Sequence, residues 1–126
     1  MADGDKVVLT VPARSEFART VRMTAAELAS HAGMDIEAIE DVRLAVEEAF
    51  VFASERVADS ELTFSFTVGG GWIAVEVAPL LPGEDDDAGP ALGERYSRFI
   101  LESICDEFEI VTDEGICRLR LVKRTV

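Results

Sequence analysis

The sequence predicts an α+β fold, in which three helices cover one face of a mixed, largely antiparallel sheet to make a two-layer sandwich. Two patterns carry this prediction. Five segments alternate apolar and polar residues as strands do, and three segments repeat apolar residues at helical spacing. The predicted order is strand, helix, helix, hairpin, loop, helix, hairpin. At 126 residues the chain has the size of one domain, so we assign residues 1–126 to a single domain.

The first two elements are a strand and a helix. The strand is KVVLTVPA, and Pro12 ends it. One face of this strand carries Val7, Leu9 and Val11. A helix is expected from about Ser15, and Gly33 is a natural stop for it because glycine adopts the left-handed conformation of a helix end. Its apolar face consists of Phe17, Val21, Ala25, Leu28 and Ala32.

The middle of the chain predicts a second helix and a hairpin. The helix begins after Asp35, a good N-cap residue. Its apolar face consists of Ile39, Val42, Ala45, Val46, Ala49, Ala53 and Val57. Two alternating strands, ELTFSFTV and WIAVEV, are joined by the glycines at 69–71, which supply positive φ at little cost. Their apolar residues are Leu62, Phe64, Phe66, Ile73, Val75 and Val77.

The last third begins with a change of composition. Residues 79–93, PLLPGEDDDAGPALG, hold three of the four prolines and three of the nine glycines, which predicts a loop. A third helix is expected from about Glu94 to Cys105. One side of it carries Tyr96, Phe99, Ile100, Ser103 and Ile104. Two strands, 108–111 and 117–122, then close on a turn at Glu114 and Gly115.

Charge and composition exclude several classes of function. The net charge of −13 argues against nucleic acid as the direct partner, because phosphate binding needs clustered Lys and Arg. It is compatible with plain solubility or with a basic protein partner. No apolar run approaches the ~20 residues that cross a bilayer, and MADGDK does not begin like a signal peptide. We therefore expect a cytoplasmic protein with no membrane partner. Neither the spacing of the two cysteines nor the single histidine, His31, indicates a metal site.

One stripe of the second helix is chemically unusual. Leu44, Glu48 and Phe52 are four residues apart, so they share a face beside the main apolar one. A carboxylate between two large apolar side chains loses hydration. Two interpretations remain open: Glu48 reaches solvent or pairs with a base, or it is itself a base at the edge of a pocket.

The same helix carries a family resemblance. DVRLAVEEAFVFA resembles the N-box helix of RsbW-type anti-sigma factors, which are also serine protein kinases with the histidine-kinase-like (GHKL) ATPase fold. EFART resembles their first helix, and ILESICDEFEI with GICRLRLVKR resembles their last helix and terminal hairpin. The resemblance covers most of the chain. It implies a homodimer that binds a sigma factor or an anti-anti-sigma protein.

The resemblance also assigns site residues. Glu48 falls on the family's catalytic glutamate, and Phe52 falls on the asparagine that holds magnesium. A phenyl ring cannot coordinate a cation that requires oxygen ligands, so we expect Phe52 to fill the space of metal and phosphate. Arg19 in EFART falls on an arginine that contacts both kinds of protein partner, and helical spacing places it on the exposed face.

The other nucleotide motifs are altered as well. The family's adenine-reading Asp-x-Gly-x-Gly falls on PLLPG, where Pro79 replaces the aspartate and Gly83 is the glycine that remains. Its glycine-rich phosphate loop falls on RYSR, where Arg95 and Ser97 replace glycines. Arg95 and Arg98 in the first turn of the third helix could form an anion site, or they could balance the acids at 84–87.

These changes in the family's nucleotide motifs leave two main functions to consider. The first is a binding module that keeps the anti-sigma fold, with lost or weak ATP binding and no cofactor. The second is an active serine/threonine kinase that uses Glu48 as base and requires ATP and magnesium. Other uses of the fold, as a scaffold or adaptor, also remain open.

Overall fold

The computed structural model describes residues 4–57, 59–81 and 92–125. The elements are β1 (Asp5–Pro12), a single 3₁₀ turn (Ser15–Phe17), α1 (Ala18–His31), α2 (Ile36–Ser54), β2 (Glu61–Gly69), β3 (Trp72–Leu80), α3 (Leu92–Ile104), β4 (Glu107–Asp113) and β5 (Ile116–Arg124). The strands form one sheet in the order β1-β2-β3-β5-β4. Every neighbouring pair is antiparallel. The predicted α+β sandwich is confirmed. Within the described ranges, no helix is long and apolar enough to cross a bilayer.

The core lies between the helices and one face of the sheet. Strict alternation in β2 and β3 buries every predicted inward residue, including Phe64 and Phe66. α2 is the central helix and packs against both α1 and α3. Its Phe50, absent from the predicted apolar face, stacks on Phe64 with ring centroids 6.1 Å apart. α2 therefore meets a different helix through each of two sets of side chains.

Local signals in the sequence set the helix start and the turns. The Asp35 carboxylate accepts a hydrogen bond from the Ala38 amide at 2.8 Å, as an N-cap does. Gly33, after α1, has φ of 77°. The final hairpin turns at Glu114 and Gly115, both with positive φ, which matches the right-handed twist of the paired strands. The predicted cap and turns are therefore confirmed.

Several predicted boundaries are wrong. β3 runs through Pro79 to Leu80, so the first residues of the predicted loop belong to the sheet. α3 begins at Leu92 instead of Glu94, and residues 82–91 before it lie outside the described residues. α2 ends before Val57, which pairs with Leu80 in an isolated bridge. This bridge and the pairing with β5 extend β3, because they supply backbone partners that a loop would lack.

The predicted side of α3 agrees only in part with the buried one, because Ile104 packs against the core but the aromatic residues of that side do not. Ser97 and Leu101 face inward with 2% and 0% exposure, whereas Tyr96 and Phe99 are 65% and 66% exposed. α3 packs on α2, and the short hydroxyl side chain of Ser97 contacts the carboxylate of Glu48 there. Packing against α2 therefore decides which face of α3 is buried, even though this leaves the aromatic Tyr96 and Phe99 exposed.

Candidate functional site

The flank of α2 that faces α3 carries the carboxylate singled out from the sequence. Glu48 is half-buried there, and its Oε1 accepts a hydrogen bond from Ser97 Oγ at 2.9 Å. A hydroxyl bound to a carboxylate makes a charge-assisted hydrogen bond, which is stronger than a neutral one. Glu48 has no ion pair within the described ranges. Two predicted site residues are thus in direct contact, and we name this contact region the α2–α3 seam.

One turn along α2, the seam becomes apolar. Phe52 is fully buried, and the Arg56 guanidinium lies 4.7 Å from the centre of its ring. A cation over an aromatic face is attracted by the ring quadrupole. The ring is therefore enclosed by the protein, with Arg56 over one face, and it offers no oxygen ligand to a metal ion. Its burial agrees with the expected one, while its occupation of a metal and phosphate space stays a prediction.

The end of β3 is tied to the end of α2. Pro79 is half-buried in β3. Two residues later the Leu81 amide donates to the Arg56 carbonyl at 2.6 Å. The proline side chain has no hydrogen-bond acceptor, so it cannot accept a hydrogen bond from an adenine amino group as an aspartate would. Gly83, the remaining glycine of the motif, lies outside the described residues.

The arginines of α3 are on the surface. Arg95 and Arg98 are exposed, and neither forms an ion pair with another described residue. Because the helix begins at Leu92, Arg98 falls in its second turn and not in the first. The acids at 84–87 lie outside the described part of the chain, so the choice between an anion site and charge balance stays open.

Two ion pairs that fix α2 were missed by the sequence reasoning. Arg22 of α1 contacts Glu47 at 2.9 Å. Lys123 Nζ of β5 lies 3.1 Å from Asp41 and donates to the Ile104 carbonyl at 2.8 Å. The signal for Lys123 was present, because it continues the inward alternation of its strand, where a lysine needs a partner. These contacts hold α2 in place between its neighbours.

The thiols do not add a reactive site. Burial raises the pKa of the Cys105 thiol to about 12, although the nearby charge of Lys123 acts in the opposite direction. At neutral pH this thiol is protonated, and a thiol is a poor nucleophile compared with a thiolate. Cys117 is 2% exposed in the core. In the part of the chain that the structure describes, no three His, Cys, Asp or Glu side chains cluster as metal ligands would.

Arg19 lies on a different surface. It is exposed on α1, where its Nε approaches the Met23 sulfur at 3.5 Å. Met23 is itself 55% exposed. No ion pair to any described residue occupies the Arg19 guanidinium. α1 contacts α2 through Arg22 and Glu47, whereas α3 contacts it through Ser97 and Glu48, so Arg19 and Glu48 belong to separate regions.

On the resemblance, Phe52 and Ser97 stand at the positions of a magnesium ligand and a phosphate-loop glycine. The buried ring of Phe52 offers no oxygen, and Ser97 is bonded to Glu48, so these side chains do not fit a magnesium-bound nucleotide. Two clefts of about 290 and 300 Å³ lie on the helix-free face of the sheet and beside the end of α1. Neither is lined by Glu48, Phe52 or Ser97.

Comparison with known proteins supports the histidine kinase-like ATPase family that the sequence resembles. The family model of the histidine kinase-like ATPase domain matches residues 11–123. The serine-protein kinase RsbW of Listeria monocytogenes serotype 4a is 28% identical over 132 residues, covering 89% of this chain and 83% of the relative. RsbW of Halalkalibacterium halodurans is 27% identical over 128 residues, covering 89% of this chain and 79% of the relative.

A solved structure agrees with the fold. The crystal structure of the RsbU and RsbW domains of a Mycobacterium tuberculosis protein superposes with a TM-score of 0.69 at 20% identity. The match covers 95% of this chain and 32% of that one, so this chain corresponds to about a third of the longer protein. The chain therefore belongs to the histidine kinase-like ATPase family.

Proposed function

We propose that this protein is an anti-sigma-type regulator that acts by binding protein partners and does not use nucleotide chemistry. The observation that carries the proposal is the closed α2–α3 seam, where Phe52 is fully buried and Ser97 is bonded to Glu48. On the resemblance, these are the positions of a magnesium ligand, a phosphate-loop glycine and a catalytic carboxylate. Two of the three residues have changed to types that close the site.

The proposed partners are a sigma factor or an anti-anti-sigma protein. The surface of α1 supports this part of the proposal, because Arg19 is exposed and forms no ion pair within the described ranges. Arginine is enriched at the energetic centres of protein interfaces. A homodimer, which follows the resemblance, completes the proposal. The cytoplasmic location and the absence of nucleic-acid and membrane partners follow from the charge and composition of the sequence.

An active kinase is the second candidate function. Two observations favour it: the carboxylate at Glu48 is kept, and the relatives are named serine-protein kinases. Phosphoryl transfer depends on positioning and on metal electrostatics. The buried ring of Phe52 and the apolar Pro79 supply neither. We therefore rank this function second.

Nucleotide binding separates the two functions. A ligand at about 100 times its dissociation constant stabilises a fold by about 2.7 kcal/mol, so a functional site raises the melting temperature in Mg-ATP. We expect the melting curves of this protein with and without Mg-ATP to coincide, with one of the RsbW relatives as the positive control. A raised melting temperature together with saturable calorimetric binding contradicts the proposal.

Partner binding tests the other half. The sigma factors and anti-anti-sigma proteins of the host are purified and titrated against this protein, and each partner is also incubated with it and labelled ATP. We expect saturable binding of at least one partner and no label transfer. Transfer of label to a partner supports the kinase, and no binding to any of these proteins overturns the anti-sigma assignment.

A further inference from the structure

The solvent side of α2 and α3 holds an unusual share of the exposed apolar side chains. Nine large apolar side chains are exposed among the described residues, and four of them belong to these two helices: Leu44, Val51, Tyr96 and Phe99. Single exposed apolar residues are ordinary, whereas a cluster of them marks an interaction surface. The two aromatic rings are about two-thirds exposed, and as neighbours three residues apart they project from the same side of α3.

The two helices run antiparallel. Glu48, in the second half of α2, meets Ser97 in the first half of α3. Lys123 of β5 joins their other ends, because it contacts Asp41 in the first half of α2 and the Ile104 carbonyl at the end of α3. The exposed residues of the two helices therefore form two rows that run side by side above the α2–α3 seam.

An apolar groove lies between these rows. With 3.6 residues per turn, the buried positions of α3 place Tyr96 and Ile100 on its edge toward α2, and Phe99 on its crest. The matching edge of α2 carries Leu44 and Val51, both exposed. The α3 row has the i, i+3, i+4 spacing with which one helix packs against another. We call the surface formed by these five residues the outer groove.

The α3 border of the outer groove is basic. Arg95 lies one turn before Phe99, and Arg98 lies beside it. Both arginines are exposed and pair with no described acid. They stand against one described exposed acid of this helix, Glu102. Two arginines without an ion pair are conspicuous in a chain whose net charge is −13.

The α2 border is acidic. Glu47 and Glu55 lie one turn before and one turn after Val51. Glu47 contacts Arg22 of α1, whereas Glu55 is exposed and pairs with no described base. Glu48 accepts a hydrogen bond from a hydroxyl and has no ion pair within the described ranges. The α2 side of the outer groove therefore keeps negative charge that the protein does not compensate.

We propose that the outer groove binds an amphipathic helix of a protein partner, acidic along the flank that meets α3 and basic along the flank that meets α2. An amphipathic helix that lays its apolar face into a groove is a recurring mode of peptide recognition. Aromatic residues and arginine are the types enriched at the energetic centres of interfaces. The inference goes beyond the proposed function, because the outer groove is a second docking surface that does not include Arg19 on α1.

Two synthetic peptides probe the outer groove. Each has about 16 residues, or about 24 Å of helix, and the same apolar residues at i, i+3, i+4 and i+7. One peptide has Glu along one flank and Lys along the other. The matched peptide has the same composition with Glu and Lys alternating on both flanks. We expect saturable 1:1 calorimetric binding of the first peptide, and at least about threefold weaker binding of the second, since exposed ion pairs are individually weak.

Two variants of the full chain test the location. Phe99→Ala removes an exposed ring, so it leaves the melting temperature nearly unchanged and weakens binding of the first peptide at least about tenfold, or about 1.4 kcal/mol. Met23→Ala is the matched control, since Met23 is an exposed apolar residue of α1, and it leaves this affinity unchanged. Reversal of both Arg95 and Arg98 to Glu removes the preference for the first peptide over the second.

Three results overturn the inference: no saturable binding of the first peptide, equal binding of the two peptides, or equal affinity in Phe99→Ala and Met23→Ala. Sedimentation equilibrium of Phe99→Ala tests a second copy as the occupant, and weaker self-association than in the unmodified chain also overturns it. The proposed function is tested separately, because Arg19→Glu weakens the sigma factor or anti-anti-sigma partner and leaves peptide binding unchanged.

Discussion

The outer surface of α1 and the α2–α3 seam use their polar groups in different ways. On α1, the guanidinium of Arg19 is exposed and has only a weak contact, with the Met23 sulfur. In the seam, Ser97 and Glu48 satisfy one another, and the adjacent Phe52 is sealed from solvent. The first region leaves a charge exposed, whereas the second uses its polar and aromatic groups for internal packing. On the proposed function, the first would be a binding surface and the second a former nucleotide site.

Replacement of Phe52 tests the packing role of the seam and has the largest expected effect. Because the ring is fully buried, Phe52→Ala leaves a cavity and costs about 3–5 kcal/mol of unfolding free energy. Urea denaturation measures it. Val51→Ala is the matched control, since Val51 is 41% exposed on the same helix and its truncation costs less than about 1 kcal/mol. Equal small effects for both variants would mean that the ring does not hold the seam.

Removal of the seam's hydrogen bond gives an intermediate effect. Ser97→Ala leaves the half-buried Glu48 without its described donor, so we expect a loss of about 1–2 kcal/mol in unfolding free energy. Ser103→Ala is the control, because Ser103 Oγ donates only to the Phe99 carbonyl on the exposed side of α3. Chemical denaturation of both variants compares them. If Ser97→Ala is as stable as the unmodified chain, water replaces the hydroxyl and the seam is not closed.

Charge reversal on α1 has the smallest expected effect on stability and sharpens the contrast. Arg19 is exposed and makes no described ion pair, so Arg19→Glu leaves the melting temperature nearly unchanged. Affinity for the sigma factor or anti-anti-sigma partner falls at least about tenfold, or about 1.4 kcal/mol. Arg95→Glu, at an exposed position of α3, leaves affinity unchanged when calorimetry compares the two. A comparable loss in both variants would place the interface across both regions.

Much of the fold could be predicted because its signals are local. Alternation fixed the inward residues of β2 and β3, and Asp35 marked the start of α2. The buried side of α3 could not be predicted in this way. Tyr96 and Phe99 are more hydrophobic than Ser97, yet Ser97 is the residue that meets Glu48. A contact between elements decides that face, and helical periodicity does not contain it.

The candidate site shows the same limit. The stripe that contains Glu48 and Phe52 could be recognised from its spacing, and the burial of Phe52 was expected from chemistry. The contact of Glu48 with Ser97 joins residues 49 positions apart, and no pattern in either segment signals it. The roles of Arg19, Pro79, Arg95 and Gly83 in binding remain predictions.

The strand order has a consequence for how the molecule assembles. β5 follows every other element in chain order, yet it lies between β3 and β4. It also brings Leu119 and Leu121 into the core and Lys123 to α2. During synthesis, β4 has no neighbouring strand until β5 emerges, and β3 presents an unpaired edge. An unpaired edge is a template for association with other chains, so the nascent domain is vulnerable to aggregation until β5 leaves the ribosome.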